Sequence, residues 1–164
     1  LPRLDRLWSK KSLEAHTDAA EYLTARYIEL AHEQPHNIAA IFELVADPVH
    51  HGVVFHCSAG KDRTGVVSAL LMSSIGVTDA DIAHDYSMTA ENMPALLEWI
   101  EARVDDPADS MANQPPQFLK CPPAAILGFL DHMRHEYGSI DQYLRSIGIA
   151  EKTVHSIRFE LVAA

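Results

Sequence analysis

Ten consecutive residues, His56-Cys57-Ser58-Ala59-Gly60-Lys61-Asp62-Arg63-Thr64-Gly65, bring one thiol, one guanidinium and a flexible glycine together. The stretch lies between a short β-branched run and an apolar helical one, so it wraps the positive end of a helix, where anions are favoured. Successive backbone N–H groups from Ser58 through Ala59, Gly60 and Lys61 to Arg63 can turn inward as a nest, which Gly60 makes easier, and hold the oxygens of a tetrahedral phosphate. Arg63 at the helix start adds a bidentate guanidinium. Cys57 stands at the loop's mouth, where the same N–H groups, the helix dipole and Arg63 favour the thiolate. They are expected to bring its pKa from about 8.5 into the range of roughly 3.5 to 7.5. The spacing therefore points to a cysteine that acts as a nucleophile beside a bound phosphate group.

The elements that must position this loop are mostly helices. Residues 12–33 carry Ala20, Leu23, Tyr27 and Leu30 on one stripe, and Ile38, Ile41, Phe42 and Val45 after Pro35 form a second amphipathic helix. Gly52-Val53-Val54-Phe55-His56 is short, apolar and β-branched, which predicts a buried strand feeding the loop. From Thr64 the sequence is apolar nearly all round until Gly76, predicting a buried helix with a glycine stop. Thr78 with Asp81 predicts an N-cap opening the next helix, helical pattern continues over 92–104, and the prolines of 105–123 predict a loop. Ile126, Leu130, Met133 and Tyr137 mark a helix stopped at Gly138. Ser139 with Gln142 is a capping box for a short helix to Ile147, and residues 150–162 suit a last one. One strand cannot form a sheet alone, so its partners are expected from elsewhere: the first ten residues, a segment read here as helix, or chain preceding Leu1.

Composition narrows the function classes. The 164 residues are 48% hydrophobic and 22% charged, which describes one globular domain over 1–164. Thirteen basic against twenty-three acidic residues give a net charge of -10, which repels nucleic acid and anionic membrane over most of the surface, so an anionic substrate needs a local positive site. No integral membrane span is predicted. The N-terminus shows no signal peptide but does not begin with Met, so a cytoplasmic and a secreted location both stay open. Two cysteines, Cys57 and Cys121, are too few for a disulfide scaffold.

Other readings of these residues fit less well. A Walker loop needs Ser or Thr where Asp62 follows Gly60-Lys61. A buried structural cysteine does not account for Arg63 and Gly60, and a sulfurtransferase or arsenate reductase is opposed only by the surrounding string. His56 is read as orienting the loop by hydrogen bonding. His50, His51, His132 and His135 lack the Cys or carboxylate partners of a convincing ligand set, so no metal or organic cofactor is expected. Cys121 is taken as incidental, although an exposed second thiol could trap Cys57 as a disulfide.

A cysteine, five residues and an arginine, with His before and Thr-Gly after, resembles the signature of the protein tyrosine phosphatase superfamily. The fuller string HCSAGKDRTG is similar to atypical bacterial tyrosine and lipid phosphatases related to mycobacterial protein tyrosine phosphatase B, and the tail YGSIDQYLRSIGI resembles the end of that family. The likeness runs from about Thr17 to Leu161. It implies that Cys57 forms a phosphocysteine, that Arg63 binds the phosphoryl group and that Thr64 assists the thiolate leaving group. It also implies substrates that are phosphorylated proteins or phosphoinositides, and a helical lid at about 78–120 containing Met88, Met93, Leu96, Leu97 and Trp99, which are otherwise ordinary core. The family's Asn-Phe-Arg-Asp-Leu-Gly-Gly segment and first strands are absent. The expected fold class is therefore α/β: the C-terminal, mostly helical portion of a tyrosine-phosphatase-like fold whose central sheet lacks its N-terminal strands here, completed by a missing segment or a second chain. Asp62 is a candidate proton donor, because the upstream carboxylates Asp18 and Asp47 fall on a helix and a helix end; its alternative is pairing with a basic neighbour. Lys61 is a candidate for selecting multiply phosphorylated headgroups. A phosphate-binding module or pseudophosphatase without turnover is the competing function.

Overall fold

The computed structural model describes residues 18–50, 52–103 and 119–162. Helix α1 (Ala19–Glu33) is followed by α2 (Pro35–Ala46) and a 3-10 turn at Pro48–His50; then come α3 (Asp62–Ser74), α4 (Asp79–Glu101), α5 (Pro123–Tyr137), α6 (Ile140–Ser146) and α7 (Glu151–Val162). Local chemistry explains most boundaries. Asp18 caps α1 by accepting from the Ala20 N–H at 3.1 Å, Pro35 opens α2, and Ser139 caps α6 by accepting from the Gln142 N–H at 3.1 Å. Gly76 and Gly138, at φ of 93° and 85°, stand just beyond α3 and α5. The first helix begins at Ala19, and residues 12–17 of the expected 12–33 span lie outside the described residues.

The core forms around α3. Val66, Val67 and Leu70 from α3 pack into one cluster with Leu23 and Tyr27 of α1, Ile82 and Tyr86 of α4, and Ile126, Phe129 and Leu130 of α5. Each fully buried aliphatic side chain contributes roughly 1.5 to 3 kcal/mol, so Val66 and Leu70 together fix the rotation of α3 about its axis. That rotation decides where the residues of its first turn, Asp62, Arg63 and Thr64, point. Polar ties hold the outer helices: Arg134 of α5 grips Asp79 at the start of α4 with two bonds of 2.6 and 2.7 Å. Arg158 of α7 donates to the Ser74 carbonyl at the end of α3 at 2.6 Å, and Thr153 donates to Glu43 of α2 at 3.0 Å.

Two expectations change. Residues 52–56 are not a buried strand: they carry no strand structure, and Val54 is 85% exposed. The β-branched run favours an extended backbone, but a ladder needs a partner, and no strand occurs among the described residues to supply one. The α/β expectation thus meets an all-helical arrangement over these residues. The second change concerns α4, which continues unbroken through Pro94. Ile82, Ala83 and Tyr86 anchor its first half and Met93 its second; Leu96 and Leu97 are half-buried, and Met88 and Trp99 are exposed. Most of the expected loop and the end of the expected lid, 104–118, lie outside the described residues.

Candidate active site

Residues 53–57, which carry no regular secondary structure, lead through the loop to the N-terminus of α3, and that terminus has no side-chain cap. An α-helix leaves its first N–H groups without intrahelical partners. Of these, the Thr64 N–H favours the Cys57 thiolate. Gly60 takes φ of 66°, a conformation that a side chain would oppose, and the turn it permits brings the N–H groups of Ala59, Lys61 and Thr64 onto Cys57. Burial pushes the thiol up. The Thr64 hydroxyl and those three N–H groups outweigh it, and the pKa falls from 9.0 to about 7. The Thr64 hydroxyl is buried and makes no hydrogen bond within ordinary reach, while it lies close enough to Cys57 to favour the thiolate.

Arg63 is exposed and turns back across the loop, its Nη2 donating to Ser58 Oγ at 3.3 Å. The guanidinium thus lies over the same loop whose N–H groups face Cys57. His56 Nδ1 stands 3.0 Å from the Cys57 carbonyl; that partner only accepts, so this nitrogen donates, at the place where loop orientation was expected of it. Ala59 is half-buried and Gly60 exposed along the loop's outer turn.

Lys61 departs from the usual behaviour of lysine. It is 2% exposed, and its Nζ donates to Asp62 Oδ1 at 2.5 Å and to the Lys120 carbonyl at 3.5 Å. A buried ammonium needs such partners. Asp62 Oδ1 also accepts from the Tyr27 hydroxyl at 2.8 Å, and the Tyr27 and Tyr86 hydroxyls lie 2.5 Å apart. Burial, followed by the nearby Asp62 charge, pushes Tyr27 far above the ordinary tyrosine range; burial likewise raises Tyr86. Both therefore stay protonated and can donate. Asp62 is thus found in the pairing that was its alternative reading, at the edge of the loop.

Sequence reasoning missed Tyr27, Tyr86 and the Lys120 carbonyl as neighbours of the loop. Tyr27 was legible only as part of a core stripe, and nothing in its spacing revealed the carboxylate 35 residues away. Cys121, expected on a loop, is buried, and burial raises its thiol. Both cysteines are free. Two of the histidines engage carboxylates: His50 Nδ1 lies 2.9 Å from Asp47 Oδ2, and His132 Nε2 lies 3.0 Å from Glu136 Oε2. His51 lies outside the described residues.

Residues 3–163 match the family model described as "Tyrosine phosphatase family". The chain belongs to the tyrosine phosphatase family. Among its relatives, a tyrosine-protein phosphatase of Nostoc commune is 32% identical over 88% of this chain and 51% of its own length. The triple specificity protein phosphatase PtpB of Mycobacterium tuberculosis is 34% identical over 65% of this chain and 42% of its own length. The chain thus spans about half the length of the curated relatives it matches. Family membership agrees with the resemblance drawn from HCSAGKDRTG. No helix among the described residues is long and apolar enough to cross a membrane.

Proposed function

We propose that the chain hydrolyses phosphomonoesters through a phosphocysteine intermediate. The observation that carries this reading is Cys57, held near pKa 7 by the Thr64 hydroxyl and three loop N–H groups, with the Arg63 guanidinium over the same loop. Substrate phosphate oxygens would sit on the N–H groups of Ser58, Ala59, Gly60 and Lys61 and on Arg63. The thiolate attacks phosphorus, the ester oxygen leaves with a proton, and water then releases phosphate as the thiolate departs again, assisted by Thr64. Hydrolysis of p-nitrophenyl phosphate by the chain, abolished in Cys57→Ser, is the test. Inorganic phosphate binding without turnover in the unsubstituted chain would favour the pseudophosphatase instead.

The substrates proposed are phosphotyrosine proteins and phosphoinositides, the second resting on the resemblance of HCSAGKDRTG to lipid phosphatases, since the Lys61 charge is buried and paired with Asp62. Lys61→Ala should weaken phosphoinositide turnover selectively; equal losses on lipid and peptide substrates would remove it as a selector. Asp62 is proposed as the proton donor to the leaving oxygen. Its bonds from Tyr27 and Lys61 hold it as an acceptor and so compete with that role. Asp62→Asn decides, slowing poor leaving groups far more than p-nitrophenyl phosphate if Asp62 is the acid. Residues 53–56, where Val54 is exposed and Phe55 packs against the core, are where we place the edge of a sheet completed by strands outside the described residues.

A further inference from the structure

We propose that Tyr27 and Tyr86 are positioning residues: a two-hydroxyl clamp on Asp62 that holds the backbone of residues 61–64 against Cys57. Its effect on turnover rests on the phosphatase reading, but its effect on Cys57 does not.

The direction of the hydrogen bonds is fixed by the donors available. Tyr27 has one hydroxyl proton and gives it to Asp62 Oδ1, which accepts at 2.8 Å. The contact of 2.5 Å between the two tyrosine oxygens then requires Tyr86 to donate to Tyr27. The chain therefore runs Tyr86 to Tyr27 to Asp62, from α4 and α1 onto the first residue of α3. Both tyrosines are buried, at 3% and 1% exposed, so neither hydroxyl can exchange this partner for water without the core opening. The rings are held as well: they meet edge to face with centroids 6.0 Å apart, and Tyr27 meets Phe129 in the same way.

The clamp reaches the loop at two points. Lys61 Nζ shares Asp62 Oδ1 with Tyr27, so the carboxylate also secures the residue whose N–H faces Cys57. Gly65 packs directly on Tyr86, where an added Cβ would come within 2.9 Å of the ring's Cδ2. This fixes the turn containing Thr64, the source of both a hydroxyl and an N–H for the sulfur. Among the described residues, Tyr22 of α1, with Arg26 and Glu29 near it, and Cys121 of the segment before α5 also lie within electrostatic reach of Asp62.

The test reads Cys57 itself, by the pH dependence of its alkylation with iodoacetamide, followed on the Cys57 peptide by mass spectrometry. In the unsubstituted chain the midpoint is expected at about 7. Tyr27→Phe removes one oxygen and should raise the midpoint by about one unit toward that of a free thiol, slowing alkylation at pH 7 about fivefold. Tyr86→Phe, one bond further away, should raise it less. In an Asp62→Asn background the Tyr27→Phe shift should vanish, because the hydroxyl has lost the carboxylate through which it acts. Tyr143→Phe removes another buried hydroxyl, one that donates to the Ala31 carbonyl at 2.9 Å, and should leave the midpoint unchanged. An unmoved midpoint in folded Tyr27→Phe, a shift that persists in the Asp62→Asn background, or an equal shift in Tyr143→Phe would overturn the clamp. Absence of p-nitrophenyl phosphate hydrolysis by the unsubstituted chain would instead overturn the phosphatase reading, and the alkylation profiles would still decide the clamp.

Discussion

Two helices that follow one another in the chain begin in opposite ways. α4 starts behind Thr78, whose Oγ1 accepts from the Asp81 N–H at 3.2 Å and donates to the Asp81 carboxylate at 2.7 Å, while Asp79 in its first turn is gripped by Arg134. α3 starts behind Lys61 with no side-chain cap, and the one carboxylate of its first turn, Asp62, is drawn away to Tyr27 and Lys61. A cap satisfies the first N–H groups of a helix and stabilises it by about 1 kcal/mol. Left uncapped, those groups serve a thiolate or an incoming anion. The difference separates a helix start built for stability from one in which that stabilisation is given up to keep donors available.

The largest expected effect strikes the uncapped start. Cys57→Ser should lower turnover by at least about 10⁴-fold on p-nitrophenyl phosphate, because a serine hydroxyl in the same place has no comparable ionised fraction near neutrality. Inorganic phosphate should still bind, since the N–H groups and Arg63 remain; isothermal titration of the folded variant checks this. Loss of phosphate binding as well would mean that the cysteine shapes the loop. Arg63→Lys comes next. It preserves the charge but not the planar fork, and an expected fall of about 10²-fold to 10³-fold in turnover would assign the guanidinium to transition-state oxygens.

Thr64→Val removes the hydroxyl at nearly constant volume. The Cys57 midpoint should rise from about 7 by about one unit, read by alkylation across pH 5.5–9.5. The sign also governs stability. Cys57 is an acid whose folded pKa is depressed from 9.0 to about 7, so its contribution is complete above about pH 9 and is lost as pH falls through about 7. Urea midpoints of the unsubstituted chain and of Cys57→Ser should therefore diverge most on the alkaline side of that window.

How much of this was legible beforehand differs between the two helix starts. The cap at Thr78 was readable because Thr and Asp three residues apart carry their partners within one turn, and the helical stripes were readable because apolar spacing repeats locally. Cys57, Arg63 and Gly60 were legible for the same reason, since the loop's chemistry lies within ten consecutive residues. What escaped depends on distant contacts. Gly52-Val53-Val54-Phe55-His56 has the composition of a strand, but pairing is decided by another segment, and Val54 is exposed. Lys61 carries no local sign that it would be buried: Asp62 stands beside it, but its other partner is the carbonyl of Lys120, 59 residues away. Tyr27 looked like any core aromatic until the fold brought it to Asp62.

The smallest expected effect belongs to the capped start and sharpens the contrast. Thr78→Ala removes the side-chain acceptor of the Asp81 N–H and frees the Asp81 carboxylate from the hydroxyl that donates to it. The site is exposed, so water can replace part of what is lost, and the cost should be about 1 kcal/mol of unfolding free energy, read from urea denaturation. Arg134 still holds Asp79 from α5, which keeps the helix start in place and limits the damage to local fraying. The Cys57 alkylation midpoint should not move, because no bond of this cap reaches residues 57–64. Were Thr78→Ala to shift that midpoint as far as Thr64→Val does, the two helix starts would be coupled through α4 and Tyr86, and the division between a stabilising start and a reactive one would fail.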